Sequence, residues 1–242
     1  MSSDSSARPA AVLWDFDGTI LDTEPLWMAS EVEFVASQGA IWTLDDAHGH
    51  IGASWRTLGG ALSERITEQL GVCTFTPWQI YEELAARVAA GILAGRAPRR
   101  PGAVELLDSL NAAGWPCALV SASPAHLLDA GVASLGGNNR FATMVPGPMV
   151  EHGKPAPDCY LLAAEKLGVD VRDCIVLEDS PTGCEAGHRA GALVIGVPSV
   201  APLPDVRGQV RRDSLVGLTP ESMIELMRGH RHDAQNEPGA QL

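Results

Sequence analysis

The chain has 242 residues, 45% of them hydrophobic and 19% charged, which is enough to bury a sizeable core and unlike a disordered chain. Seventeen Lys and Arg against thirty Asp and Glu give a formal charge of −13, too acidic for a general nucleic-acid or anionic-membrane binder. No apolar run approaches the roughly 20 residues that span a bilayer. The five scattered cysteines form no C-x-x-C pair, so they read as buried thiols in a reducing, cytoplasmic setting.

Residues 1–9 are Ser-rich, lack the apolar stretch of a secretory signal, and are expected to be disordered. Ala10 to Trp14 is a short apolar run that reads as a strand ending on Asp15. Helices are predicted over Glu24–Ser37, with Trp27, Val32, Phe34 and Val35 as apolar positions, then over about Trp55–Leu70 and Pro77–Leu93. The stretch Gly95–Gly102 (G-R-A-P-R-R-P-G) breaks the pattern and is a candidate hinge.

Beyond the break, short apolar runs alternate with helical stretches. Helices are expected over Ala103–Asn111, Ala125–Leu135, Asp158–Leu167 and Pro181–Ala190. Strands are expected over Cys117–Val120, Ala142–Val145, Cys174–Leu177 and Ala192–Val197. This is the pattern of an α/β fold, a Rossmann-like parallel sheet covered on both faces. The helical block 21–96 interrupts the alternation after one strand and reads as an inserted cap. The core is then 10–20 plus 97–228, and the polar segment 229–242 is expected to be a disordered tail.

Ligands of an open parallel sheet sit beyond the carboxyl ends of the strands, and four polar motifs fall there. Asp15-Phe16-Asp17-Gly18-Thr19 places two carboxylates two residues apart, although D-x-D-G alone also fits a turn or a calcium-loop fragment. Ser121-Ala122-Ser123 sets hydroxyls and backbone N–H groups before a helix, where an anion is favoured; Ser123 alone fits a simple N-cap. Lys154 is carried on a segment stiffened by Pro155 and Pro157, though a lone loop lysine is usually solvated. Glu178 and Asp179 are adjacent acids at a strand end, which repel one another unless a cation or a helix N-terminus offsets them.

In order and spacing, D-F-D-G-T, G-K-P-x-P-D and E-D-S resemble the haloacid dehalogenase superfamily, in its phosphatase and phosphomutase branch with an inserted helical cap. The resemblance spans about residues 10–200. It implies that Asp15 is the nucleophile, forming an aspartyl-phosphate, and that Asp17 is the general acid and base. Ser121 and the Ala122 N–H would hold phosphoryl oxygens beside Ser123, and Lys154 would offset charge on nucleophile and phosphate. It also implies Mg²⁺ held by Asp15, the Asp17 backbone carbonyl and Asp179, with Glu178 acting through a water. Dehalogenating members resemble this chain at the first Asp but lack the second acid, so Asp17 points to phosphate chemistry.

In the cap, Glu24 is placed to bind substrate hydroxyls, or only to sit in the first turn of a helix. Arg56 is placed to grip a second anionic group and Trp55 to stack on a ring, or both only pack the cap. The expected activity is a Mg²⁺-dependent phosphomonoesterase for a sugar phosphate or nucleotide, working as a monomer. Two alternatives remain. One is a β-phosphoglucomutase-like enzyme, which would carry a His soon after the cap begins, where Glu24-Pro25-Leu26-Trp27 stands. The other is a non-catalytic phosphate-binding regulator, disfavoured because none of the key residues is missing. A dehydrogenase is excluded by the absence of G-x-G-x-x-G after the first strand, and no histidine is assigned a role.

Overall fold

The computed structural model describes residues 8–137, 140–206 and 208–235. Residues 1–7 and 236–242, which include most of the N-terminal tail and the end of the C-terminal one, lie outside the described residues. The first strand, β1 (Ala11–Trp14), is buried along its whole length. Its side chains alternate. Val12 and Trp14 join the apolar cluster on one face of the sheet, while Ala11 and Leu13 join the cluster on the other.

Four helices follow before the chain returns to the sheet: α1 (Glu24–Ser37), α2 (Leu44–His48), α3 (Trp55–Leu70) and α4 (Pro77–Leu93). Three of the four were predicted within these bounds. The short α2 was not, although Thr43 and Asp46 form a reciprocal capping box at its start. Helix α4 has its own capping box, Thr76 with Gln79, and Pro77 in the first turn. On α1, Trp27, Phe34 and Val35 are buried as expected, while Val32 is only partly buried; Glu31, which sequence pattern would leave in solvent, is buried.

The rest of the chain builds α5 (Ala103–Ala112), β2 (Cys117–Val120), α6 (Ala125–Ser134), β3 (Thr143–Val145), α7 (Asp158–Leu167), β4 (Cys174–Glu178), α8 (Pro181–Ala190), β5 (Leu193–Gly196), β6 (Val210–Arg211) and α9 (Pro220–Gln235). The strands form one parallel sheet in the order β3-β2-β1-β4-β5-β6. β1 is therefore central, with β2 and β4 on either side, and the order reverses there. That is the switch point at which open α/β sheets bind ligands.

One expectation is corrected at the C-terminus. The polar stretch from Gly229 is not a tail from its start, because α9 runs on to Gln235. Its anchors lie earlier, at Met223 and Met227, which are four residues apart on one face and fully buried in the core cluster. The helix can therefore continue through a polar sequence once its first two turns are docked. The two-residue edge strand β6 was also not predicted.

The two connections between sheet and helical block run side by side. Leu21 bridges Arg99, the Asp22 N–H donates to the Pro98 carbonyl and the Arg100 N–H donates to the Ile20 carbonyl. The Pro/Gly/Arg break is thus tied to the outgoing chain. Helix α4 also packs along α6 of the core, so one apolar cluster runs continuously from β1 into the helical block. No helix among the described residues is long and apolar enough to cross a membrane.

Candidate active site

Asp15 stands directly after the central strand, its N–H bonded to the Leu177 carbonyl of β4 at 3.0 Å. Its carboxylate is held on both oxygens. Oδ1 accepts from the Lys154 ammonium at 2.6 Å and Oδ2 from the Thr19 hydroxyl at 3.0 Å. Lys154 comes from the loop between β3 and α7 and also meets Glu178 Oε1 at 2.6 Å and the Val120 carbonyl at 3.5 Å. Three strand ends and one loop therefore meet at a single ammonium group.

Glu178 is fully buried, and donors fill both of its oxygens. Oε1 accepts from Lys154 and from the Tyr160 hydroxyl at 2.8 Å; Oε2 accepts from the Asp179 and Ser180 N–H groups and the Ser180 hydroxyl. A Cβ at Gly183 would fall 1.7 Å from this carboxylate, so the first turn of α8 needs glycine there. Glu178 does not line the cavity in front of Asp15, whereas Asp179 does. Asp179 Oδ2 accepts from the Ser199 hydroxyl.

The carboxylate of Asp17 faces another way. Oδ1 accepts from the Thr23 hydroxyl at 2.7 Å and, at 3.4 Å, from the Trp27 indole N–H; Oδ2 accepts from the hydroxyls of Ser121 at 3.2 Å and Ser123 at 2.8 Å. Asp17 thereby ties the end of β2 to the start of α1. The Ser123 N–H donates to Ser121 Oγ at 3.0 Å, and the Ala122 N–H beside it has no acceptor among the described residues. The backbone passes close here: a Cβ at Gly147 would lie 2.1 Å from the Ala122 carbonyl.

Electrostatics separate these groups. Burial pushes the Asp15 carboxyl up to about 7; Glu178 adds to the rise and Lys154 opposes it. Burial, then Asp15 and Glu178, lift Asp179 well above the usual carboxylate range. Burial works against the Lys154 ammonium, but Asp15 and Glu178 outweigh it and hold it protonated well above its ordinary range. Three buried carboxylates thus share one cation.

Oxygens of Asp15, Glu178 and Asp179 lie within 4.8 Å of one another. Gly18, at φ +82°, approaches Asp179 so closely that a Cβ would fall 2.0 Å from Oδ2. An all-oxygen donor set with excess negative charge fits a hard divalent cation. Asp15 and Asp179 are the members of that set that line the cavity. Glu178 stands behind them with its lone pairs already used. The Asp17 side chain is engaged by three hydroxyls and the Trp27 indole and is not part of this acidic set.

A cavity of about 870 Å³ opens in front of this cluster, between the sheet and the helical block. Ser121, Ala122, Ser123, Lys154, Asp15, Asp17 and Asp179 line its core side. All three predicted cap residues, Glu24, Trp55 and Arg56, line the opposite side. The Arg56 guanidinium lies 4.2 Å over the Trp55 ring and Trp78 meets that ring edge-on, so the space a stacked ligand would use is already partly taken. Burial pushes Glu24 up to about 7, with Asp17 and Asp22 adding and a Gly52 N–H opposing.

Several contributors were not anticipated. Thr19, Thr23, Trp27, Tyr160 and Ser199 each donate to a site carboxylate. Thr19 and Thr23 follow Asp15 closely enough for a side-chain bond back to the motif to be suspected. Tyr160 and Ser199 carried no such signal, since their partners come from remote chain. Glu31, His50 and Tyr81 on the cap wall were also missed.

Comparison with known proteins places this geometry. The haloacid dehalogenase-like hydrolase family model matches residues 9–191. Hexitol phosphatase B of Escherichia coli is 30% identical over 225 residues, covering 88% of this chain and 96% of that protein. Fructose-1-phosphate phosphatase YqaB of the same organism is 30% identical over 197 residues, covering 78% and 97%. Among solved structures, CbbY from Rhodobacter sphaeroides in complex with phosphate superposes with a TM-score of 0.74 at 27% identity, covering 86% of this chain and 96% of that one.

Proposed function

The chain belongs to the haloacid dehalogenase-like hydrolase family, and from that premise we propose that it is a phosphomonoesterase for a small sugar or sugar-alcohol phosphate. The observation that carries this reading is the division of labour between two acids two residues apart. Asp15 is fixed by an ammonium group at the sheet's switch point, while Asp17 is fixed by hydroxyls that border the anion site. Two titratable groups with different environments are the usual mark of distinct catalytic roles.

The phosphoryl group is bound by Ser121 Oγ, the Ala122 N–H and Lys154, with Ser123 beside them. Asp15 attacks phosphorus, and the bond to the leaving oxygen breaks as Asp17 supplies its proton. The product of that step is an aspartyl-phosphate and a free alcohol. Asp17 then takes a proton from water, whose oxygen attacks phosphorus and releases inorganic phosphate and the Asp15 carboxylate. Lys154 stays protonated throughout and offsets charge on Asp15 and the phosphoryl oxygens, which is where phosphoryl transfer needs help. A Mg²⁺ held by Asp15, the Asp17 backbone carbonyl and Asp179 would supply further charge neutralisation.

The cavity's size, its wall of acids and aromatic rings, and the hexitol phosphatase and fructose-1-phosphate phosphatase relatives support a small polyhydroxylated substrate. The stretch Glu24-Pro25-Leu26-Trp27 holds no His of the kind expected of a mutase, and its Trp27 donates to Asp17, which supports the hydrolase reading over the mutase one. The test is phosphate release from sugar phosphates, sugar-alcohol phosphates and nucleotides, with Mg²⁺ and with EDTA. The reading predicts Mg²⁺-dependent release that is fastest on the first two classes. Isomerisation of β-glucose 1-phosphate without release would overturn it in favour of a mutase, and no turnover by folded protein in favour of a binding protein.

A further inference from the structure

The cap wall holds a buried acid that the reaction does not use. Glu31 sits on α1, is 3% exposed and lines the cavity. It lies one helical turn beyond Trp27, whose indole reaches Asp17, so it stands roughly 6 Å further along the helix axis from the reacting groups. The Trp42 indole N–H donates to Oε2 at 2.9 Å and fixes the side chain. No donor reaches Oε1 among the described residues, and no ion pair is made there. Oε1 is not among the side-chain atoms sealed from solvent without a partner, so on this cavity-lining residue it is open to water or to a ligand.

The surroundings say what that oxygen awaits. Burial pushes the Glu31 carboxyl up to about 7 against the Trp42 bond, and Glu24, two turns earlier on the same helix, adds to the rise. The basic groups of the cap wall are elsewhere engaged. The Arg56 guanidinium lies over Trp55 at the exposed rim, and His50 packs against the Trp42 ring with Nδ1 on the Asp46 carbonyl at 2.9 Å. The inner end of the cavity is therefore acidic and offers an acceptor.

We propose that Glu31 is a specificity-determining residue: its Oε1 accepts a hydrogen bond from a hydroxyl at the end of the substrate remote from the phosphate, and its charge excludes a second phosphate there. This rests on the phosphatase reading and narrows it to monophosphates of five- or six-carbon polyols or sugars with a free distal hydroxyl. Trp42 is a positioning residue, since it acts only by holding Glu31.

The test compares kcat and KM of the native chain, Glu31→Gln and Glu31→Leu at about pH 8, above the value to which burial lifts this carboxyl. Substrates are a sugar-alcohol monophosphate, its distal deoxy analogue, the matching bisphosphate, and p-nitrophenyl phosphate. Glu31→Leu is expected to raise KM for the hydroxylated substrate about 10-fold, the loss of one hydrogen bond to a charged group, and to spare the deoxy analogue. Glu31→Gln is expected to improve the bisphosphate and leave p-nitrophenyl phosphate unchanged. Equal changes on all four substrates, or none, would overturn the proposal. Binding of the first three ligands to Asp15→Asn, with and without Glu31→Leu, is measured by calorimetry. If no substrate is hydrolysed, the phosphatase reading falls, and this binding comparison still decides on Glu31: a matched loss for the hydroxylated ligand alone supports it, and no difference refutes it.

Discussion

At the sheet ends, Asp15 and Glu178 share the Lys154 ammonium, and Asp17 accepts from four separate donors. Across the cavity, half-buried Glu24 and buried Glu31 have no cationic partner among the described residues, and Trp42 alone donates to the Glu31 side chain. Both regions remove carboxylates from water, and only the core offsets them with a cation. A charge held by its own protein is kept in one place for chemistry. A charge left with an open oxygen fits a ligand that supplies the missing donor. On this view the core determines the reaction and the cap determines what is brought to it.

The largest expected effect is on the core side. Asp15→Asn should lower phosphate release by several orders of magnitude with its circular dichroism unchanged, because it removes the group that bonds to phosphorus. Normal turnover in that variant would erase the assignment of chemistry to the strand ends. Lys154→Met should also be severe, and it should cost stability. It strands the carboxylates of Asp15 and Glu178, and breaking such a buried pair costs roughly 3–5 kcal/mol. Urea denaturation with EDTA present reads this directly, and an unchanged midpoint would contradict the compensation described above.

The cap should respond more gently and through pH. The folded chain lifts the Glu31 carboxyl from an ordinary 4.5 to about 7, so folding favours its protonated form. Stability from this group is fully present below pH 4.5 and is lost as pH rises through about 7. Glu31→Gln cannot lose that proton and keeps an acceptor for Trp42. Its melting temperature should exceed that of the native chain at about pH 8, and the difference should fade in acid. Parallel melting curves across pH would show that Glu31 is not strained by burial. The smallest effect expected is that of Arg56→Ala, which should shift the ranking among phosphorylated substrates and leave p-nitrophenyl phosphate nearly untouched. Equal losses on both would move Arg56 from the substrate to the packing of Trp55.

What could be read from the sequence follows the same divide. Asp15, Ser121 and Asp179 were legible as candidates because each lies just past a short apolar run, and parallel strands deliver such positions to one edge; Lys154, in a loop four residues before α7, was singled out only by the resemblance of G-K-P-x-P-D. Several helix starts were legible because prolines such as Pro77 and Pro181 mark the first turn locally. Glu31 was not, since an acid inside a helical pattern reads as solvent-facing until Trp42, eleven residues on, folds over it. Tyr160 and Ser199 were hidden for the same reason: their partners, Glu178 and Asp179, meet them only in the folded sheet. Helix α9 was not predicted at all: its apolar anchors, Met223 and Met227, are few, and the polar stretch that follows hides the helix they dock.

The most direct test of the central claim is to trap the covalent intermediate. Asp17→Ala, which lacks the group that activates water, would be mixed with p-nitrophenyl phosphate, whose leaving group needs little protonation, quenched rapidly, and reduced with borohydride. Peptide mass spectrometry should then find residue 15 converted to homoserine, the product of reducing an aspartyl-phosphate. Nitrophenol release with Asp15 unmodified, or with the label on another residue, would contradict the account.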